Sequence, residues 1–416
     1  VSDPIRILHF ADVHIGMENY GQIDPKTGIN GRILDFLRRM DETIEYAQDH
    51  DADLALFAGD AFKTRSPNPT YTREFARRIK RLARQCPVVL LAGNHDLPAM
   101  VQKASTVEVF HTLEVPNVIV GRQDELHTIE TKRGEIQVAT VPYPIRQRLL
   151  AREQTQGRSI HEIDEILQVE VEAVVHNLAQ QAAARPEIPS ILVGHLTVAE
   201  AKYGSERSVM VGRDVAVLKS ALANPVWDYV ALGHIHRHQN LTQDEAGTPP
   251  IVYSGSLERI DFGEERERKG FCWVQAARDT AYAKWRFVPV AARKFVTVRV
   301  DVRACDDPTG KVVAAVEAQE VADAVVRVLI QTTVEREAEL RERDIERALL
   351  DAYYIAGIQK EVERPARSRL GTESPEALSP IELLERYLVA KETPTERRAV
   401  LLQHAETIMN LGSDPT

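Results

Sequence analysis

Val88-Val-Leu-Leu-Ala-Gly-Asn-His-Asp96 decides how this chain is read. An unbroken run of β-branched and leucine residues reads as a strand buried on both faces. It ends in a glycine, which lets the chain turn sharply beside other backbones. An amide, an imidazole and a carboxylate then follow in succession. The same plan occurs four more times. Residues 5–10 lead into Asp12 and His14, residues 54–58 into Gly59-Asp60, residues 191–193 into Gly194-His195, and residues 229–232 into Gly233-His-Ile-His236. Helical patterns fall between these runs, at residues 32–48, 70–84 and 162–184, and strands alternating with helices indicate layered α/β architecture. Residues 126–131 and 135–141, joined through Arg133-Gly134, read as a hairpin. A second β-rich stretch runs over 251–289.

In layered α/β sheets, ligands bind beyond the carboxyl ends of the strands. All five clusters are therefore expected on one rim. A lone Asp-x-His is ordinarily a turn or a cap, and Gly-Asp alone says less; five such clusters, each after an apolar strand, say much more. Imidazoles and carboxylates without thiolates suit manganese, iron or zinc. Seven candidate ligands, Asp12, His14, Asp60, Asn94, His195, His234 and His236, exceed the needs of one ion. They suffice for two ions sharing a carboxylate, spaced about 3.5–4 Å apart across an in-line displacement. His95 is then free to protonate a leaving oxygen or stabilise phosphoryl charge. Asp96 either orients His95 or caps a following helix. His9, His50, His111, His127, His161, His176 and His404 stand outside the clusters, and His238 lies close enough to the rim to stay open.

The chain has 416 residues, 44% apolar and 27% charged, which is ordinary for two or three globular domains. Residues 1–10 lack the pattern of a secretory signal, and no apolar run reaches the length that spans a bilayer. Cys86, Cys272 and Cys305 are odd in number and widely spaced, as in a reducing cytoplasm. A net charge of −10 argues against unselective nucleic-acid binding. It leaves a DNA enzyme open, because bound metals reverse the local sign.

The domains expected are a catalytic domain over 1–290, a small α+β domain over 291–362, a linker over 363–379 and a helical tail over 380–416. Ile381, Leu384 and Leu388 make one apolar stripe in the tail, and Leu401, Ala405 and Ile408 another. The stretch 73–84 holds six bases against Glu74. A solvated helix face is the plainer reading of it and a phosphate-contacting face the sharper one, with Arg77 and Arg81 as candidates beside Lys63 and Arg65.

The order Asp-x-His, Gly-Asp, Gly-Asn-His-Asp, Gly-His, Gly-His-x-His resembles the calcineurin-like metallophosphoesterase superfamily. Within it, Ala11-Asp-Val-His-Ile-Gly16 and Tyr253-Ser-Gly-Ser-Leu-Glu-Arg-Ile-Asp-Phe-Gly-Glu-Glu265, continuing to Lys269-Gly-Phe271, resemble the SbcD-type repair nucleases. The likeness covers about residues 5–275, with 290–362 resembling that family's capping domain more loosely. It implies a layered β-sandwich flanked by helices, and a manganese-dependent exonuclease on double-stranded ends and endonuclease on single strands or hairpins. It implies a homodimer, and a coiled-coil ATPase of the SbcC type bound by the tail. Asp12, His14, Asp60 and His236 would surround one ion, Asp60, Asn94, His195 and His234 the other, and His95 would be the catalytic histidine. Some relatives carry a histidine where this chain has Lys63, which reads as a surface residue or a phosphate contact. For dimerisation the sequence itself adds only apolar residues in the segment 100–113. A small-molecule phosphodiesterase or nucleotide phosphatase on the same site is the alternative activity. A DNA-end-binding scaffold is the alternative from another class.

Overall fold

β3 (Val88–Leu91) is buried along its whole length, and so are β1 (Ile5–Phe10, apart from Arg6) and β2 (Leu54–Phe57). The computed structural model describes residues 3–98, 103–144, 158–204, 214–278, 280–364 and 379–411. β1, β2 and β3 run parallel and continue into β4 (Val118–Gly121), a strand that the sequence reading passed over. β13 (Gly270–Ala276) and β14 (Lys284–Pro289) add on antiparallel beyond β1, giving the order β14-β13-β1-β2-β3-β4.

The second sheet is built alike. Its parallel centre is β12 (Ile251–Tyr253), β10 (Tyr229–Gly233), β7 (Ser190–His195) and β6 (Gly134–Val141). β11 (Gln239–Asn240) closes one edge. At the other edge β5 (Glu125–Thr131) pairs with β6 as the expected hairpin. β8 (Thr197–Val198) and β9 (Ala216–Val217) form a separate two-stranded ribbon.

Alternation along each strand sorts the core into three apolar layers. Leu8, Phe10, Ala55, Phe57, Val88 and Leu90 pack against α1 (Gly31–Asp49) and α2 (Pro69–Ala83). Ile7, Leu54, Leu56, Val89 and Leu91 turn the other way and meet Ile191, Val193, Tyr229 and Ala231 of the second sheet. Leu192, Val230 and Leu232 cover α4 (Ile160–Ala182), which follows the short α3 (Glu108–Thr112). The result is a β-sandwich flanked by helices. Among apolar neighbours in the middle layer, His9 bonds the Tyr229 hydroxyl (3.1 Å) and the Leu232 carbonyl (3.2 Å). Burial pushes its pKa down to about 3, so the ring is a neutral tie between sheets.

α5 (Lys219–Leu222) lies between β9 and β10. Further along the chain, β15 (Phe295–Asp301), β16 (Val325–Thr333) and β17 (Tyr354–Glu363) form a three-stranded sheet. α6 (Pro308–Glu317), α7 (Val334–Glu337) and α8 (Glu342–Ala348) lie between its strands in sequence. By contact density the chain divides into two units. One comprises Val1–Val300, Thr309–Leu329 and Arg341–Gln359; the other comprises Asp301–Pro308, Ile330–Leu340 and Lys360–Thr416. Most of the expected linker, residues 365–378, lies outside the described residues. The tail forms α9 (Pro380–Ala390), opened by a Ser379/Glu382 capping box, and α10 (Thr395–Leu411). Of its two expected stripes, Leu388 is buried, while Leu401 and Ile408 are exposed. In the segment 100–113 the described helix is only Glu108–Thr112, and residues 100–102 lie outside the described set.

The sheets approach each other closely at the carboxyl ends of β2 and β10. A Cβ on Gly233 would lie 2.2 Å from the Ala58 carbonyl oxygen and 2.8 Å from the Ala11 Cβ. The first contact is with backbone, which cannot swing aside. Gly233→Ala is therefore expected to lower stability by about 1–3 kcal/mol, the usual cost of overpacking. Urea titration followed by circular dichroism measures it, and an unchanged midpoint would mean that the sheets are not in contact there.

Candidate metal centre

Each of the five strand-end loops leaves its sheet abruptly, and four of the predicted ligands absorb the turn themselves. Asp12 (φ 53°), His14 (φ 49°), Asp60 (φ 59°) and His234 (φ 97°) all occupy the left-handed region. Such conformations cost roughly 1–3 kcal/mol each and persist only where the surroundings over-determine them. Here main-chain bonds do so. Asp12 N donates to Gly59 O (3.0 Å), Val13 N and His14 N to Asp60 O (2.9 and 3.1 Å), and Ile15 N to Ala61 O (3.0 Å). Across the sheets, His234 N donates to both Asp12 carboxylate oxygens at 3.0 and 3.1 Å.

The side chains converge as the sequence predicts. Asp60 Oδ1 is taken by the His95 N–H at 2.9 Å. Its Oδ2 faces inward, 3.6 Å from His14 Nε2 and 3.5 Å from His195 Nε2. His14 Nε2 lies 2.9 Å from His236 Nε2. On the other side, the Asn94 amide oxygen lies 3.1 Å from His195 Nε2 and 3.0 Å from His234 Nδ1. Two triads thus form, Asp12-His14-His236 and Asp60-His195-His234, all buried, and a third, His14-Asp60-His95, overlaps them. Three of the outer ring nitrogens have acceptors of their own, while among the described residues His14 Nδ1 is buried without one. His195 Nδ1 donates to Ala58 O (2.6 Å), His234 Nε2 to Asp214 Oδ2 (3.0 Å) and His236 Nδ1 to Glu264 Oε1 (2.7 Å). With the outer nitrogen protonated, the inner one carries a lone pair. Electron-pair donors from both sheets therefore face one another, an arrangement that fits divalent cations.

The electrostatics agree. Burial disfavours the charge on Asp60, but the His195, His14 and His95 rings outweigh it and hold the carboxyl well below the usual range. Burial pushes Asp12 up to about 6 against the pull of His236 and His195. Burial also holds the His14 ring well below its ordinary value, with the Asp60 carboxylate opposing. At His195 burial is overcome by the Asp60 carboxylate, which raises the ring to about 9, so without a cation the inner nitrogen holds a proton that a bound ion would replace. Site charges this tightly packed compete for protons until a cation balances them.

The remaining candidates separate into those near the donors and those apart from them. The His95 ring stands edge-on to His14 with centroids 5.0 Å apart, and its Nδ1 donates to the Lys63 carbonyl oxygen at 2.9 Å. Lys63 thus holds His95 through its main chain. Asp96 does neither of the things expected of it. Its buried carboxylate accepts from Ala61 N, Phe62 N and Gly93 N at 3.1–3.2 Å and from Thr106 Oγ1 at 3.3 Å. It staples the Asp60 loop to the Asn94 loop, and burial beside Asp60 pushes its pKa up to about 7. Lys63 and Arg65 are exposed. Arg77 pairs with Glu74 at 3.0 Å, and Arg81 with Asp41 and Glu45 at 3.3 and 3.5 Å. Arg78 also pairs with Asp41 and Glu74, so acids from α1 and α2 neutralise much of the basic face. His238 belongs to the core: it bonds the Tyr253 carbonyl and stacks on Phe287.

Sequence reasoning missed Asp214 and Glu264. Glu264 lies inside the quoted stretch 253–265, where nothing local marks it as buried against Lys269. Asp214 has no local signature.

Residues 5–238 match the family described as Calcineurin-like phosphoesterase. The SbcD subunit of the nuclease SbcCD from Escherichia coli (strain K12) is 29% identical over 266 residues, 62% of this chain and 62% of that protein. The match therefore spans less than two thirds of that relative's length. The corresponding SbcCD nuclease subunit from Bacillus subtilis (strain 168) is 26% identical over 296 residues, 70% of this chain and 71% of its own. Among solved structures, a dimetal phosphatase from Danio rerio aligns with a TM-score of 0.37 at 10% identity, over 69% of this chain and 97% of that one. Since the matched segment takes in more than half of the sequence and every one of the seven convergent donors, the chain belongs to the calcineurin-like phosphoesterase family.

Proposed function

We propose that this chain is a two-metal phosphodiester hydrolase acting on DNA, of the SbcD type. The observation that carries the reading is the Asp60 carboxylate, whose inward oxygen lies between His14 of one triad and His195 of the other. Asp12, His14, Asp60 and His236 would hold one ion, and Asp60, Asn94, His195 and His234 the other. When bound, such a pair supplies Lewis acidity toward the phosphoryl oxygens and a nucleophilic water near neutral pH. His95, half-buried and held through Nδ1, presents Nε2 where it can stabilise the phosphoryl charge or protonate the departing oxygen. The exposed Lys63 and Arg65 beside that loop can meet the flanking phosphates.

DNA as substrate is supported by the relatives named as SbcCD nuclease subunits and by the Glu258–Phe271 stretch that the chain shares in character with SbcD-type enzymes. Manganese, exonuclease action on double-stranded ends with endonuclease action on hairpins, a homodimer and cytoplasmic work with a coiled-coil ATPase follow from the same reading. One observation favours a small-molecule phosphodiester instead: Glu74, Asp41 and Glu45 neutralise the arginines on α2. Among the described residues no helix is long and apolar enough to cross a membrane.

A labelled DNA hairpin tested beside a cyclic nucleotide decides the substrate. Hydrolysis of the hairpin is expected to stop in EDTA and return with manganese, and persistence in EDTA would sink the two-metal reading. His95→Ala is expected to lower the turnover about 10²–10⁴-fold with both ions retained. Loss of an ion in that variant would make His95 a ligand. Truncation after residue 363 is expected to keep manganese-dependent hydrolysis and lose the ATPase in a pull-down, because two short helices with exposed Leu401 and Ile408 need a surface to cover them. Retained ATPase binding would place the interface elsewhere.

A further inference from the structure

The two histidines of Gly233-His-Ile-His236 offer different nitrogens to the centre. His234 turns Nδ1 inward, 3.0 Å from the Asn94 amide oxygen, and His236 turns Nε2 inward, 2.9 Å from His14 Nε2. Nothing in a His-x-His sequence dictates that difference. Two carboxylates from other segments do. Asp214, just before β9, takes the outer nitrogen of His234, and Glu264, in the loop before β13, takes that of His236. The geometry points to Asp214 and Glu264 as positioning residues that fix opposite ring tautomers, so that one short motif serves two different metal ions. The inference rests on the two-metal reading above and adds which groups divide the motif between the ions.

Both carboxylates are themselves held. Glu264 is fully buried; its Oε2 lies 2.9 Å from Lys269 Nζ and accepts from Ile260 N at 2.9 Å. Lys269 is buried as well, and its Nζ also reaches Glu267 at 2.8 Å and the His236 carbonyl at 3.3 Å. The oxygen facing His236 has no freedom to leave, because its carboxylate is pinned at the other end. Asp214 Oδ1 accepts from the Tyr143 hydroxyl at 2.6 Å, and Oδ2 from Thr197 Oγ1 at 3.4 Å. The other two oriented imidazoles differ in kind: His195 and His95 donate to the main-chain carbonyls of Ala58 and Lys63. A main-chain acceptor is supplied by the fold whatever the side chain. A carboxylate acceptor can be removed by substitution, and it makes the imidazole a stronger ligand.

The predicted consequence is separable. Asp214→Ala should weaken the ion held with Asp60, Asn94 and His195, and Glu264→Ala the ion held with Asp12 and His14. Substitution of such outer partners typically costs about 10–100-fold in metal affinity. Apoprotein titrated with manganese by calorimetry reads the number and affinity of sites. Electron paramagnetic resonance reads whether the ions are paired. Wild type should bind two ions with a spin-coupled spectrum. Each single variant should keep one tight site, lose about 10–100-fold at the other, and show an isolated manganese signal at one equivalent. Asp214→Asn, which keeps an acceptor oxygen, should recover part of the affinity lost in Asp214→Ala. Far-UV circular dichroism identifies the variants that remain folded, and Asp214, partly exposed, stands as the test if Glu264→Ala unfolds. Two tight sites in a folded Asp214→Ala would overturn the inference while leaving the two-metal reading intact. Equal loss of both ions in that folded variant would overturn the division between sites. Fewer than two ions in wild type would overturn both readings together.

Discussion

Everything at this centre depends on one carboxylate with two differently used oxygens. Asp60 gives Oδ1 to the His95 N–H and keeps Oδ2 between two imidazoles, one from each sheet. The first bond fixes the carboxylate's rotation, and the second position makes it the joint between the triads. The joint needs the two sheets close together, which explains the small residues at the seam. A Cβ on Gly59 would meet Nδ1 of His195, from the other sheet, at 2.3 Å. The left-handed backbone at Asp12, His14, Asp60 and His234 follows from the same demand, because four side chains must point inward from loops only a few residues long. Asp96 supports this arrangement without touching it, by taking the N–H groups that the two sharp loops leave unpaired.

The fold was legible because each central strand is buried on both faces. Such strands must be continuous apolar runs, and their polar residues are pushed to the carboxyl ends, where they stand out. β1, β2, β3, β7 and β10 were read within one or two residues for that reason. β4 was missed because Val118-Ile-Val-Gly121 is a short, half-exposed edge strand with no histidine cluster after it. The seven inward donors were legible as a set for a chemical reason. Imidazoles and carboxylates repeated after glycine-ended strands have few structural uses.

The partners of those donors were not legible, because each depends on a contact between distant segments. Asp214 reaches His234 from 20 residues away and Glu264 reaches His236 from 28, with no periodic spacing. Asp96 looked like part of the Asn-His-Asp chemistry, yet its place two residues after Asn94 turns it back toward the loops. The arginines of α2 looked available from their own helix. Asp41 and Glu45, which pair with them, lie on α1, and only the packing of α1 against α2 brings them within reach.

The stretch 253–271 performs two structural tasks at once. Glu258 accepts from Arg293 N at 3.0 and 3.1 Å, and the Arg293 guanidinium bonds Asp35 of α1 at 2.6 and 2.7 Å while lying 3.6 Å over the Tyr353 ring. Four residues on, Phe262 packs with Phe295 of β15 and Val325 of β16. Two residues further, Glu264 orients His236. The start of the three-stranded sheet and the carboxylate that bonds His236 are therefore set by one short segment, tied at one end to α1 and at the other to Lys269. Only Gly263 separates Phe262 from Glu264, so the packing of the Phe295 strand and the bond to His236 are neighbours along the chain. The buried charges of this stretch, Glu258, Glu264 and Lys269, thus hold the geometry between the sheet and the metal centre.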